Sequence, residues 1–168
     1  MKHRIKILTA LMGFFCVLTL SMTVDAKSTV TPEPAIYAKS AIAVDADSGQ
    51  ILYQKNANQP RAIASISKLM TVYIVHQQIR ANKLAWDDKV KISSELAKLS
   101  TASGLTNVPL TAGKAYSVRQ LVNATLVESA NAAALALGQK VAGTATKFAA
   151  LMNKTARKIG ISDGHFYN

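Results

Sequence analysis

The chain has 168 residues, with 20 Lys and Arg against nine Asp and Glu, three His and one Cys. Beyond the first segment its basic residues are scattered from Lys39 to Lys158, with no run beyond the pair Arg157-Lys158 and no interleaved aromatics, which argues against a nucleic-acid groove. Cys16, the only thiol, sits in the N-terminal apolar run, so disulfides, thiolate metal sites and a cysteine nucleophile are excluded from everything after it.

Lys2, Arg4 and Lys6 precede the apolar run Ile7 to Leu20, and the small-residue site Val24-Asp25-Ala26 follows. That pattern predicts a secretory signal peptide over 1–26, an exported protein, and a place at the cell wall or membrane surface. Phe14 and Phe15 before Cys16 argue against lipid attachment there. Removing 1–26 leaves 17 basic against eight acidic residues, a charge of +9, which suits an anionic membrane surface or wall polymer. The remaining length allows one domain.

Residues 27–39, with Pro32 and Pro34, read as an extended leader, and the fold is expected over 40–168. Ala41 to Val44 and Ile51 to Tyr53 flank Asp45-Ala46-Asp47-Ser48-Gly49, a hairpin with a five-residue turn. From Ala62 to Arg80 the chain is strongly apolar, free of Gly and Pro, and too long for an ordinary strand; it predicts a helix buried at the centre of the domain. Ser117 and Gln120 form a capping box before a helix Val118 to Val127. After a break at Glu128-Ser129 a second helix runs from Asn131 to Val141. A last one, about Ala145 to Ile159, carries Phe148, Leu151, Met152, Thr155 and Ile159 on one face and ends at Gly160. The class is helix-rich α+β, a hairpin followed by a helical cluster.

Two short motifs carry chemistry. Ser65 and Lys68, three residues apart at the start of the apolar helix, share a face, and a lysine held neutral by burial activates a serine hydroxyl without histidine. The alternative is that Ser65 merely caps the helix while Lys68 is solvated. Ser129 and Asn131 stand at the break between helices, where a serine can relay a proton and an asparagine can hold a substrate amide. Either residue would equally serve as a helix cap.

The strings Ala64-Ser65-Ile66-Ser67-Lys68-Leu69-Met70-Thr71 and Leu126-Val127-Glu128-Ser129-Ala130-Asn131-Ala132-Ala133-Ala134 resemble the first two active-site motifs of the low-molecular-weight penicillin-binding proteins. These are serine D-Ala-D-Ala carboxypeptidases, related in fold to class A β-lactamases. The hairpin Val44 to Tyr53, the segment Val108 to Lys114 and the tail Ile159 to Phe166 are similar to that family too, so the resemblance covers 36–168. It implies a β-lactamase/transpeptidase-like fold and an acyl-enzyme on Ser65, with Lys68 as base, Ser129 passing the proton to the leaving D-alanine and Asn131 holding the substrate. It also implies peptidoglycan stem peptides as substrate, β-lactams as covalent inhibitors, and no cofactor.

The family's third motif, Lys-Thr-Gly on a sheet edge strand, is not among these residues; Lys154-Thr155-Ala156 lacks the glycine and falls inside the last predicted helix. The C-terminal sheet strands of the family are missing with it. The expectation is a partial catalytic domain, poorly stable and weakly active or inactive on its own, since one lost oxyanion donor costs about a hundred- to thousandfold in rate. An inactive remnant, a non-catalytic protein binding wall or β-lactam, and a D,D-endopeptidase stand as alternatives. A Ser-His-Asp hydrolase fails because His76 lies 11 residues from Ser65 on the predicted helix, about 16 Å along its axis. His165 is read as a loop residue. No His-x-x-x-His or paired-carboxylate spacing supports a metal.

Overall fold

A computed structural model describes residues 35–167, so the predicted signal peptide, Cys16 and most of the leader lie outside the described residues. The chain divides into two compact units after Ala57. In the first, β1 (Ala41–Val44) pairs antiparallel with β2 (Ile51–Lys55). The turn closes as its residues dictate: the Asp45 carboxylate accepts from Ser48 N–H at 2.7 Å, Gly49 N–H donates to Asp45 O at 2.9 Å, and Gly49 takes φ +73°. The two bonds from Ser48, through its hydroxyl and its N–H, hold the Asp45 carboxyl below its ordinary value.

The second unit is helical. A 3-10 turn at Ala64–Ser67 leads into α1 (Lys68–Arg80). Then come β3 (Lys89–Lys91), α2 (Ser94–Ser100), β4 (Ala115–Ser117), α3 (Val118–Val127), α4 (Asn131–Ala142) and α5 (Ala145–Lys158). The predicted helix therefore begins six residues later than Ala62, at Lys68, and Ser65 belongs to the tighter turn before it. Nor is α1 buried all round: Met70, Ile74 and Val75 are inside, while Leu69 is 59% and Tyr73 38% exposed. The central helix is α4, on which α1, α2, α3 and α5 all pack. Its small residues explain this, because Ala132, Ala133 and Ala136, all fully buried, let neighbouring backbones approach closely.

The capping box at α3 forms as expected, with Gln120 N–H donating to Ser117 Oγ and Ser117 N–H to Gln120 Oε1. α5 ends in a Schellman motif around Gly160 at φ +88°, where Ile161 N–H donates to Ala156 O and Gly160 N–H to Arg157 O. Its buried face is Phe148, Ala149, Met152 and Ala156, whereas Ile159, expected there, is 44% exposed. Phe148, Met152 and Ala156 form a cluster with Met70 and Ile74 from α1. The tail folds back onto it, held by Asn153, whose side chain donates to Phe166 O and accepts from Phe166 N–H.

The two three-residue strands β3 and β4 were not expected; they pair antiparallel, with Val90 opposite Tyr116. Nearby, Trp86 lies between His76, edge-on at 4.9 Å, and Arg119, whose guanidinium carbon is 5.1 Å from the ring centre. His76 is thus an exposed residue of α1 in ring contact with Trp86.

α4 and α5 meet at Gly138, where an added Cβ would fall 2.6 Å from Phe148 Cδ1. Gly138→Ala would gain about 1 kcal/mol of helix propensity. Overpacking costs about 1–3 kcal/mol, and the atom that must yield belongs to a buried ring rather than a free chain end. The expected outcome is a net loss, seen as a lower urea midpoint and recovered in part by adding Phe148→Leu.

Candidate active site

Lys68 opens α1, is 8% exposed, and brings the two sequence motifs together. Its Nζ lies 3.1 Å from Ser65 Oγ, 3.0 Å from Ser129 Oγ and 2.6 Å from Ser129 O. The 3-10 turn assists the first contact, because side chains three residues apart eclipse in that geometry. The expected pairing of Ser65 with Lys68 therefore holds, although the turn that makes it differs from the one anticipated.

Burial lowers the Lys68 pKa from its ordinary value of 10.5. The three partners define what the amine does once it has lost its proton. Ser129 O is a carbonyl and only accepts, so Nζ must donate to it; donating a second hydrogen to Ser129 Oγ leaves the lone pair for the Ser65 hydroxyl. This is the hydrogen-bond pattern of a base beside a nucleophile.

Both serines are reached through strained backbone. Ser129 takes φ +52° and Ala64, just before Ser65, takes φ +45°. Non-glycine residues in this region cost about 1–3 kcal/mol each and gather at functional sites. At Ser129 the left-handed turn follows Glu128, the C-cap of α3, with Ala130 N–H returning to Ala124 O, and it lets one residue offer Lys68 both a carbonyl and a hydroxyl.

Neither Ser129 nor Asn131 caps α4. Its N-cap is Ala130, which offers no side-chain bond. Asn131 instead sends its backbone N–H (3.0 Å) and its Nδ2 (3.2 Å) to Thr106 O. One amide hydrogen and the Oδ1 acceptor stay available for a peptide group. Sequence reasoning passed over the next residue, Asn107, which accepts from Ala132 N–H at 2.8 Å and donates to Leu99 O at 3.1 Å. No local pattern marks it.

Lys68 and Asn131 line a cavity of about 330 Å³, together with apolar residues that include Leu135, Phe148 and Met152, and with Tyr167. His165 is in the tail, its ring 4.3 Å from that of Tyr167. Among the described residues no three His, Cys, Asp or Glu side chains gather as a metal site would require. Nor is any helix there long and apolar enough to cross a membrane.

Residues 26–168 match the family Peptidase_S11, described as D-alanyl-D-alanine carboxypeptidase. The chain is similar to the D-alanyl-D-alanine carboxypeptidase DacF of Bacillus subtilis, 31% identical over 138 residues that cover 82% of this chain and 34% of that protein. Among solved structures it resembles a peptidoglycan synthesis regulatory factor (PBP3) from Streptococcus pneumoniae, with TM-score 0.73 and 44% identity, covering 77% of this chain and 36% of that one. It also resembles penicillin-binding protein D2 of Listeria monocytogenes in its cefotaxime-bound form, with TM-score 0.67 and 34% identity, over 81% and 54% of the two chains. The chain thus spans about a third of the curated relative's length. The α+β fold read from the sequence is that of these proteins.

Proposed function

The chain belongs to the peptidase S11 family of D-alanyl-D-alanine carboxypeptidases, and from that premise we propose that it carries the acylating half of a serine-type D-Ala-D-Ala carboxypeptidase acting on peptidoglycan stem peptides. Ser65 Oγ attacks the carbonyl carbon between the two D-alanines while Lys68 Nζ takes its proton. The C–N bond breaks, and the departing amine receives a proton through the Ser129 hydroxyl, leaving the shortened peptide as an ester on Ser65. Asn131 holds the peptide group of the substrate with its remaining amide hydrogen and its Oδ1. Water then cleaves the ester and restores the serine. The observation that carries this reading is the placement of one buried amine within hydrogen-bond reach of both serines.

A β-lactam that acylates Ser65 would form the same kind of ester. The reading places the enzyme outside the cytoplasm, as the pattern of residues 1–26 suggests, beside an anionic membrane surface or wall polymer that its basic charge would favour. The test is covalent labelling with a fluorescent penicillin, resolved on a denaturing gel. The protein is expected to label, weakly where the missing Lys-Thr-Gly half limits the rate, and Ser65→Ala to lose the label entirely; equal labelling of the two, or no label even when that half is supplied, overturns the assignment.

A further inference from the structure

The first turn of α4 leaves backbone N–H groups that need acceptors, and its N-cap, Ala130, has none to give. They are supplied from 25 residues earlier. Thr106 O takes Asn131 N–H, and Asn107 Oδ1 takes Ala132 N–H. The other end of the Asn107 amide donates to Leu99 O in the last turn of α2, a carbonyl that also accepts from Ala102 N–H at 3.2 Å. One half-buried side chain therefore joins the end of α2 to the start of α4. The segment is also fixed on its far side, where Leu110 N–H donates to the buried Ser100 Oγ at 2.8 Å.

The residues immediately before this junction are Ser129 and Ala130, and Ser129 O lies 2.6 Å from Lys68 Nζ. We infer that Asn107 is a positioning residue: by capping α4 from outside the helix, it holds the strained Ser129 turn where its carbonyl and hydroxyl meet the lysine amine. This rests on the carboxypeptidase reading for its effect on rate, but the placement of Lys68 is open to measurement without any substrate. The polar atoms matter, and not the volume of the side chain. Asn107→Asp keeps the acceptor and adds a negative charge at the N-terminus of α4, which is favourable, but gives up the bond to Leu99 O and turns an oxygen toward that carbonyl; Asn107→Ala removes both bonds.

Two readouts test it on the purified protein. Acylation of Ser65 by a fluorescent penicillin, measured well below each variant's melting temperature, is expected to slow about 10- to 100-fold in Asn107→Ala, as for a misplacement of about 1 Å. Asn107→Asp, which retains the bond to Ala132 N–H alone, is expected to recover part of that loss. In parallel, NMR titration of the Lys68 ammonium is expected to move upward in Asn107→Ala, toward the ordinary lysine value, as the amine becomes less enclosed. An unchanged Lys68 titration in Asn107→Ala overturns the proposal, even if the melting temperature falls, because the residue would then be scaffold only. Failure of the parent protein to label even with the Lys-Thr-Gly half supplied would sink the carboxypeptidase reading and leave the titration to decide the role of Asn107.

Discussion

Lys68→Arg is expected to lower the rate of Ser65 acylation by about a hundred- to ten-thousandfold, the range over which a positioned base contributes. Arginine keeps a charge and a long stem, yet it stays protonated at any pH the protein survives, so it cannot accept the serine proton. In the parent protein the rate should rise with pH as Lys68 loses its proton, with a midpoint below the ordinary 10.5 because burial disfavours the ammonium. The arginine variant should show no such limb. Stability carries the same sign: between the lowered value and 10.5 the unfolded chain binds more protons than the folded one, so stability rises with pH across that window. Below the lowered value the cost of holding a buried ammonium is present in full. Stopped-flow acylation across this range decides the matter, and a flat profile in the parent would assign the base elsewhere.

Leu137→Ala is expected to cost about 2–5 kcal/mol, the usual range for emptying a buried leucine site. Against the total of about 5–15 kcal/mol that holds an ordinary domain, such a loss threatens the fold itself. Leu137 is fully buried on α4, within the larger core that also contains Val75, Ile92, Val118 and Leu121. The elements that supply those residues lean on α4 from several sides, so little of the void can be refilled by the shift of one neighbour. Leu126→Ala is the control, since Leu126 is 49% exposed and should change stability by about 0.5 kcal/mol or less. Urea denaturation of both compares them directly. If Leu137→Ala were as mild as Leu126→Ala, α4 would not be the centre of the packing.

What the sequence revealed depended on whether the signal was local. The Asp45 to Gly49 turn, the Ser117–Gln120 box and the Gly160 terminus each carry their own stereochemical reason within a few residues, and each formed where expected. The start of α1 did not, because nothing in Ala62 to Ser67 distinguishes a 3-10 turn from a helix; Ala64 at φ +45° breaks the pattern without a glycine to announce it. Strands of three residues, such as β3 and β4, are too short for alternation to register. α2 has only seven residues, though Ser93 capping Leu96 N–H and Glu95 in the first turn were available as cues. The core face of α5 shifted because Ala149 and Ala156 are small enough to approach α1 and α4, while Ile159 falls beyond the last turn. In the site, the Ser65–Lys68 and Ser129–Asn131 motifs were legible from side-chain chemistry. The link from Asn107 to Ala132 was not, since it joins residues 25 apart that no spacing rule connects.

Trp86 is the only tryptophan in the chain, and its indole sits between an imidazole and a guanidinium. The tryptophan emission of the protein therefore comes from one address in the second unit, at the contact of α1 with the start of α3. Far-ultraviolet circular dichroism, by contrast, averages over every helix and strand. An emission change that precedes the loss of ellipticity would date the parting of His76 and Arg119 from the ring, giving a clock for the loosening of the helix that bears Lys68.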